Sequence, residues 1–179
     1  MSKQQVLDFW FEELSPKQWF GGGPELDQII ASRFSDLHHA ISQGEGFSWR
    51  DSAEGRLAEI IVLDQFSRNL YRDSAKAFAQ DRMALVLAQE AVALRLDKPL
   101  APQQRSFLYM PYMHSESALI HQQAVELFSQ EGMELNYEFE LKHQAIIDRF
   151  GRYPHRNAVL GRESTVEEVE FLKTPGSSF

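Results

Sequence analysis

The sequence predicts an all-α protein built from antiparallel helical hairpins. Apolar residues recur at the three- and four-residue spacing of helices along most of the 179 residues. Glycine and proline interrupt this pattern at intervals that suit helices joined by short loops. No segment alternates apolar and polar residues for long enough to predict a strand. We therefore expect one helical domain that covers residues 1–179.

The predicted helices of the first half are marked by the residues at their ends. A proline suits the first turn of a helix over residues 24–43, and Gly44 suits a left-handed cap after it. Asp51 followed by Glu54 resembles a capping box that precedes the next apolar face. An alanine-rich stretch after a capping serine predicts a third helix over residues 74–96.

The second half continues the same pattern. Because proline lacks the backbone donor that a helix interior needs, it is expected to end a helix. Serine and threonine before apolar runs are typical caps, and glycine is a typical terminator. The predicted helices cover residues 102–110, a segment from Ser115 to near Gly132, residues 136–151, and a last segment from Ser164 or Thr165 to just before Pro175.

Composition excludes several classes of function. The chain contains no cysteine, which excludes disulfides, thiolate zinc sites, iron–sulfur clusters and cysteine nucleophiles. Its formal net charge of −8 argues against a nucleic-acid partner. The apolar run near the N-terminus is interrupted by acids, and no window approaches the roughly 18–20 apolar residues of a membrane span. We expect a cytoplasmic protein that does not bind membranes.

Five polar residues fall on one side of the second predicted helix. At about 100° per residue, Asp64, Gln65, Arg68, Asn69 and Arg72 share one arc. The same arc holds core-facing apolar residues earlier in the helix, so the acid and the two arginines are predicted to point inward. Buried guanidinium groups need partners, because an unpaired buried charge costs several kcal/mol.

Three histidines are also predicted to face the interior. The same rotation places His114 and His121 together on the apolar face of the helix after Ser115, and it places His143 among the apolar residues of the next helix. Each histidine taken alone is more often a core residue bonded to a carbonyl or carboxylate than a functional group.

Residues 149–162 hold four of the twelve arginines and no acid. Guanidinium groups that project from such a loop can form bidentate pairs with a carboxylate or a phosphate. They can equally tie the loop to carboxylates of the protein itself, and both interpretations stay open. In that structural interpretation, the arginines are Arg152, Arg156 and Arg162, and the carboxylates are residues such as Asp64, Glu116 or Glu163.

Three segments together resemble a known bacterial family. Residues 63–72 read LDQFSRNLYR, residues 107–116 read FLYMPYMHSE, and His143 precedes the block RFGRYPHRN, which begins at Arg149. This pattern resembles the domain-of-unknown-function 924 family over nearly the whole chain. The resemblance implies an all-α fold similar to tetratricopeptide-like helical domains. It implies no activity, substrate or cofactor.

The chain departs from the family pattern at two positions and matches it at many. Tyr153 stands where the family usually has phenylalanine, and Ser67 stands where it often has proline. Neither difference alters the resemblance. The matching motif positions are Asp64, Gln65, Arg68, Asn69, Arg72, His114, Glu116, His143, Arg152, His155, Arg156, Asn157, Gly161 and Arg162.

No cofactor or metal is predicted. Glu140 and His143 form one Glu-x-x-His pair, whereas di-iron helical bundles need two such pairs and two further glutamates. A mononuclear metal site that uses His114, His143 and Glu116 stays open as a minor alternative. Glycine-rich phosphate-binding fingerprints and a nucleophilic serine elbow are missing from the sequence.

The sequence leaves two hypotheses of function. In the first, an interior pocket binds a small anionic molecule, and arginines hold its carboxylate or phosphate. Whether a reaction occurs there stays open; if it does, His114, His143 or His155 transfers protons and the reaction is a hydrolysis. In the second, a tetratricopeptide-like scaffold binds a peptide partner and the arginine cluster is purely structural. The candidate ligand-binding residues are Asp64, Gln65, Arg68, Asn69, Arg72, His114, Glu116, His143, Arg152, His155, Arg156, Asn157 and Arg162.

Overall fold

The structure is a computed structural model that describes residues 1–178, and this part of the chain contains helices and turns but no strand. The predicted all-α fold is therefore confirmed. Phe179, the last residue of the predicted domain, lies outside the described residues. The α-helices are α1 (Lys3–Asp8), α2 (Pro16–Gly21), α3 (Gly23–Ser42), α4 (Ala53–Ile61), α5 (Ser67–Leu70), α6 (Asp81–Ala93), α7 (Pro102–Met113), α8 (Ala118–Phe128), α9 (Glu134–Phe150) and α10 (Val166–Phe171).

Several predicted helix ends are confirmed. Gly44 follows α3 with a φ of 83°, and Gly151 ends α9 with a φ of 67°. Both angles lie in the left-handed region that glycine adopts without steric cost. Thr165 caps α10 by accepting from the Glu168 amide at 3.2 Å, while the Glu168 side chain accepts from the Thr165 amide at 2.7 Å. This reciprocal pair is a capping box, and it makes Thr165, one of the two predicted starts, the cap of the helix.

Two other caps are displaced from their predicted residues. Ser52, not Asp51, caps α4: its hydroxyl accepts from the backbone amide three residues later at 3.1 Å. The Asp51 carboxylate instead accepts from the ammonium group of Lys3 at 3.0 Å. In the same way α8 is preceded by Ser117 rather than Ser115. Neighbouring residues that can both cap a helix compete. The Lys3 ammonium does not decide between Asp51 and Ser52, because it also donates to the Ser52 hydroxyl at 2.9 Å.

The predicted helix over residues 74–96 is wrong at both ends. Ser74 caps a short 3₁₀ turn, Ala75–Phe78, and the α-helix begins only at Asp81. The α-helix then stops at Ala93, two residues before Arg95 adopts a positive φ of 57°. Because the α-helix begins only at Asp81, this acid lies in its first turn, where a negative charge is favoured by the helix dipole.

α7 continues through the proline that was predicted to stop it. Pro111 lies inside the helix, which ends two residues later at Met113. An interior proline costs about 3 kcal/mol. Tyr112 and Met113 are almost completely buried, and burying such side chains contributes roughly 1.5–3 kcal/mol each. Packing after the proline therefore offsets its cost.

α4 and α5 are joined by a π-helical turn, Val62–Phe66, so that residues 53–70 form one continuous helical segment. A π turn holds one residue more than an α-helical turn, which rotates everything after it by about 100°. Asp64 lies in this turn between the fully buried Leu63 and Phe66 and is itself fully buried. The local geometry thus places a carboxylate in the hydrophobic core.

This segment contacts helices from both halves of the chain. α4 contacts α1, α6 and α7, and α8 contacts α7 before it and α9 after it. A tetratricopeptide-like arrangement stays a prediction. None of the described helices has the length and apolar character needed to cross a bilayer.

Candidate functional site

The Asp64 carboxylate is the centre of a buried polar cluster. One of its oxygens, Oδ1, lies 2.7 Å from the Nδ1 of His114 and 3.1 Å from the Nη1 of Arg68. The other oxygen accepts from the side-chain amide of Gln65 at 2.6 Å. Burial opposes the ionised form, but the charge of Arg68 and the hydrogen bond from His114 hold the pKa of Asp64 well below its usual range. Asp64 is therefore an ionised carboxylate inside the core.

Arg68 extends this cluster to a second acid, Asp81. Its two terminal nitrogens donate to the two oxygens of Asp81 at 2.9 and 3.0 Å. The same carboxylate accepts from the Nη1 of Arg156 at 3.3 Å. His114, Asp64, Arg68, Asp81 and Arg156 thus form one chain of hydrogen bonds in which acids alternate with potentially cationic groups.

Arg156 is the least satisfied member of this chain. It is 7% exposed, and its Nε has no hydrogen-bond partner among residues 1–178. Its guanidinium carbon lies 4.4 Å from the ring centre of Phe78 and 4.7 Å from that of Tyr153. Burial and the nearby charge of Arg68 lower the pKa of Arg156. A guanidinium held between two aromatic rings with one long hydrogen bond is only partly neutralised.

His114 has a defined tautomer. A carboxylate only accepts hydrogen bonds, so the Nδ1 of His114 carries the hydrogen that lies on Asp64. Burial, and then the charge of Arg68, lower the pKa of His114 despite the opposite effect of Asp64. The ring is therefore neutral near pH 7, with its lone pair on Nε2.

His143 and His155 belong to the same neighbourhood. The Nδ1 of His143 donates to the backbone carbonyl one turn earlier at 2.7 Å. Burial lowers the pKa of His143 to about 3 and that of His155 to about 4, and both rings interact electrostatically with His114. The Tyr153 ring centre lies 5.7 Å from that of His143 and 5.6 Å from that of His155. Three neutral imidazoles therefore lie around the two arginines.

Asn69 and Arg72 lie outside this cluster. Both bind Asp27 of α3: Asn69 donates at 2.8 Å, and Arg72 donates twice, at 2.6 and 2.8 Å. The side chain of Arg72 is 49% exposed, so the predicted inward direction is wrong for this residue. α5 ends at Leu70 and Tyr71 leaves the helical conformation, so Arg72 lies in the turn that follows and not on the predicted helical arc. Asn69 fastens α5 to α3, and Arg72 fastens the turn after α5 to the same helix.

Arg162 and Glu116 form a closed pair beside the cluster. Arg162 donates to the two Glu116 oxygens at 2.7 and 2.9 Å and to the side-chain oxygen of Asn157 at 2.9 Å. Glu116 also accepts from the Tyr153 amide at 2.8 Å. The sequence correctly predicts Glu116 as a partner of the arginine-rich loop. These contacts fix the loop that carries Tyr153, His155 and Arg156.

Arg152 is also occupied by a protein carboxylate. It donates to Glu168 from Nε at 2.7 Å and from Nη2 at 2.8 Å, which lowers the pKa of Glu168 to about 2. Glu163, the acid proposed from the sequence, contributes its backbone carbonyl instead of its side chain. Arg152 thus ties the loop to α10.

His121 does not share a helix face with His114, contrary to the prediction. α8 begins at residue 118, which leaves His114 at the end of α7. The Nδ1 of His121 lies 2.6 Å from a Glu140 oxygen, and its Nε2 lies 2.8 Å from the Ser115 carbonyl. Burial raises the pKa of Glu140. Within the described part of the chain, no three His, Asp or Glu side chains are placed to hold a metal ion.

Comparison with known proteins identifies the family. The model for the family described as bacterial proteins of unknown function (DUF924) matches residues 6–176. The chain belongs to the DUF924 family. It is also similar to the solved structure of a protein of unknown function from Agrobacterium tumefaciens, with a TM-score of 0.91, 36% identity and 96% coverage of each chain. No curated protein matches the chain.

Two groups in the cluster of this DUF924 protein were missed by sequence reasoning. Asp81 was assigned to the interior of a long helix, where nothing distinguishes it from other exposed acids. Phe78 lies in the 3₁₀ turn just before it and contacts both Arg68 and Arg156 through its ring face. Asp81 follows Phe78 and the capping residue Ser74, and this order of residues is the signal that could have indicated a later helix start.

Proposed function

We propose that this DUF924 protein binds a small anion, a carboxylate or a phosphate, through Arg156 and Arg68. The observation that carries the proposal is the state of Arg156: it is buried, and among the described residues it has one hydrogen bond, of 3.3 Å, and no partner on Nε. An incompletely paired charge in the interior costs several kcal/mol unless something else neutralises it. A planar anion suits this role because guanidinium groups bind carboxylate and phosphate in a bidentate manner.

The contacts divide the predicted ligand-binding residues into two groups. Three arginines each donate two hydrogen bonds to the two oxygens of one protein carboxylate: Arg72, Arg152 and Arg162. This pairing supports a structural role for them. The scaffold hypothesis accounts for these three arginines but gives no reason for the incomplete pairing of Arg156. The proposed site is accordingly narrower than the sequence suggests, and it comprises Arg68, Arg156 and the imidazoles of His114, His143 and His155.

Thermal unfolding in the presence of inorganic phosphate or succinate tests the proposal, with sodium chloride added to match the ionic strength. A ligand at 100 times its Kd stabilises the native state by about 2.7 kcal/mol, which corresponds to roughly 5–10 °C for a protein of this size. We expect this shift in the wild-type protein and in the Arg72→Gln control, and we expect its loss in Arg156→Gln. An unchanged shift in Arg156→Gln, or no shift in the wild-type protein, would refute the proposal.

A further inference from the structure

We propose that Asp64 and His114 form a general-base pair that activates water against a small anionic ester bound at the arginines. This inference rests on the anion site proposed above. The proposed reaction is the hydrolysis of an ester that carries a carboxylate or phosphate group. Asp64 and His114 supply the base, and the arginines bind the anionic group.

The orientation of His114 is the first argument. The 2.7 Å contact fixes the hydrogen on Nδ1, and in residues 1–178 the Nε2 makes no hydrogen bond. Asp64 is itself held from the sides by Arg68 and Gln65, so the ring has one orientation and one tautomer. A buried carboxylate that orients an imidazole in this way leaves a basic nitrogen on the opposite side of the ring.

The other buried imidazoles with known partners are less suited to this role. His38 lies 2.8 Å from the Ser67 hydroxyl through its Nε2, and that hydroxyl donates to a backbone carbonyl, so the imidazole nitrogen is the donor. Both nitrogens of His121 are engaged, one by Glu140 and one by a carbonyl. His114 differs because an ionised acid faces one nitrogen and the arginine cluster lies beside it.

The arginines supply the second argument, because they explain why a substrate would be held near this base. Arg68 contacts the same Asp64 oxygen that orients His114, and it shares Asp81 with Arg156. Asp64 alone therefore separates Arg68 from the imidazole, whereas three residues, Asp81, Arg68 and Asp64, separate Arg156 from it. The neutral form of His114 that its lowered pKa favours is the form that can accept a proton.

The reaction balances without a cofactor. The water oxygen forms a bond to the acyl carbon of the ester while the His114 Nε2 takes one of its protons, and the carbonyl electron pair moves onto the carbonyl oxygen. When that pair returns, the bond to the alkoxy oxygen breaks, and the leaving alkoxide takes the proton from the Nε2. The products are a carboxylic acid and an alcohol, and His114 is neutral again.

The hydrolysis of p-nitrophenyl hemisuccinate, an anionic ester, tests the inference, with p-nitrophenyl butyrate as the uncharged control. We expect the wild-type protein to prefer the anionic ester. We expect kcat/KM to fall by about 10²–10⁴-fold in His114→Gln and Asp64→Asn, the usual contribution of general-base catalysis. His39→Gln removes an exposed imidazole and should leave the rate unchanged. The wild-type pH profile should rise with unit slope through the His114 pKa and then level off.

Two readouts separate this inference from the anion site. If phosphate stabilises the wild-type protein but the anionic ester is not hydrolysed, the base role is overturned and the anion site stands. If His114→Gln loses hydrolysis and keeps the phosphate shift, the base role is supported. Should the variants fail to fold, the ¹⁵N chemical shifts of His114 in the wild-type protein decide: a protonated Nε2 at pH 7 overturns the inference, and a protonated Nδ1 with a bare Nε2 supports it.

Discussion

Arg68 and Arg156 share a single carboxylate, that of Asp81. Arg68 donates to both of its oxygens and Arg156 to one, so a residue of α6 joins α5 to the loop after α9. Because two arginines bind this one partly buried carboxylate, the junction between these elements depends on Asp81. Removal of Asp81 should therefore affect stability more than removal of any surface partner.

Asp81→Asn is expected to lower the free energy of unfolding by about 3–5 kcal/mol, because it leaves Arg156 without any anionic partner in the interior. Urea denaturation followed by circular dichroism measures this change. Glu167→Gln is the matched control, since its pair with Arg149 is exposed and worth at most about 1 kcal/mol. Equal midpoints for the two variants would contradict the role given to Asp81.

Gly55→Ala should destabilise the protein although alanine is the better helix former. A Cβ at this position would lie 1.8 Å from the Trp49 carbonyl oxygen, which is backbone and cannot move aside as a flexible side chain can. Overpacking of this kind costs about 1–3 kcal/mol or more. Gly21→Ala meets no atom within 4 Å and serves as the control. The prediction fails if both variants melt at the wild-type temperature.

Acid should weaken the fold between about pH 6.5 and pH 4. The pKa values of His143 and His155 are lowered from 6.5 to about 3 and about 4 in the folded state. Below pH 6.5 the unfolded chain therefore binds more protons, and each histidine lowers the free energy of unfolding by up to about 1.4 kcal/mol per pH unit.

Denaturation midpoints at pH 7, 6 and 5 measure this dependence. His143→Gln should reduce the slope, whereas the exposed His39→Gln should leave it unchanged. A protein equally stable at pH 7 and pH 5 would show that these imidazoles are not held neutral by burial.

Tyr153→Phe removes one buried hydroxyl and should destabilise this chain by about 1 kcal/mol. The Tyr153 hydroxyl donates to the Met113 carbonyl at 2.6 Å and lies 3.2 Å from the Nε2 of His121, both inside the core. Loss of the hydroxyl leaves buried groups less satisfied. Calorimetry gives the change directly, and a melting temperature at or above that of the wild-type protein would argue that the hydrogen bond is energetically neutral.

Local sequence signals predict the helices well where the ends depend on single residues. Gly44 and Gly151 end helices because only a residue without a side chain adopts their left-handed backbone cheaply. Helix starts are less predictable, since Asp51 and Ser52 are both good caps and only Ser52 accepts from the Gly55 amide. Both residues also accept from the Lys3 ammonium, a contact with a distant part of the chain that no local pattern contains.

The candidate site was predictable in part. Helical periodicity correctly predicts that Asp64 and Arg68 meet in the interior, and the arginine-rich loop indicates a cation cluster. The pairing of Arg72 with Asp27 depends on the end of α5 at Leu70, and the pairing of Arg68 with Asp81 depends on the late start of α6 at Asp81. Both features change the backbone geometry without changing the apolar pattern, so hydrophobic spacing alone does not predict them.

The position of Asp64 depends on the number of residues in the π-helical turn Val62–Phe66 as much as on which residues they are. Loss of one residue from the turn would restore a regular α-helix and swing every later side chain by about 100°. A deletion so small would separate Arg68 from Asp81 and Asn69 from Asp27 in one step. Insertions and deletions, rather than point changes, are therefore the mutations to which this core is most vulnerable.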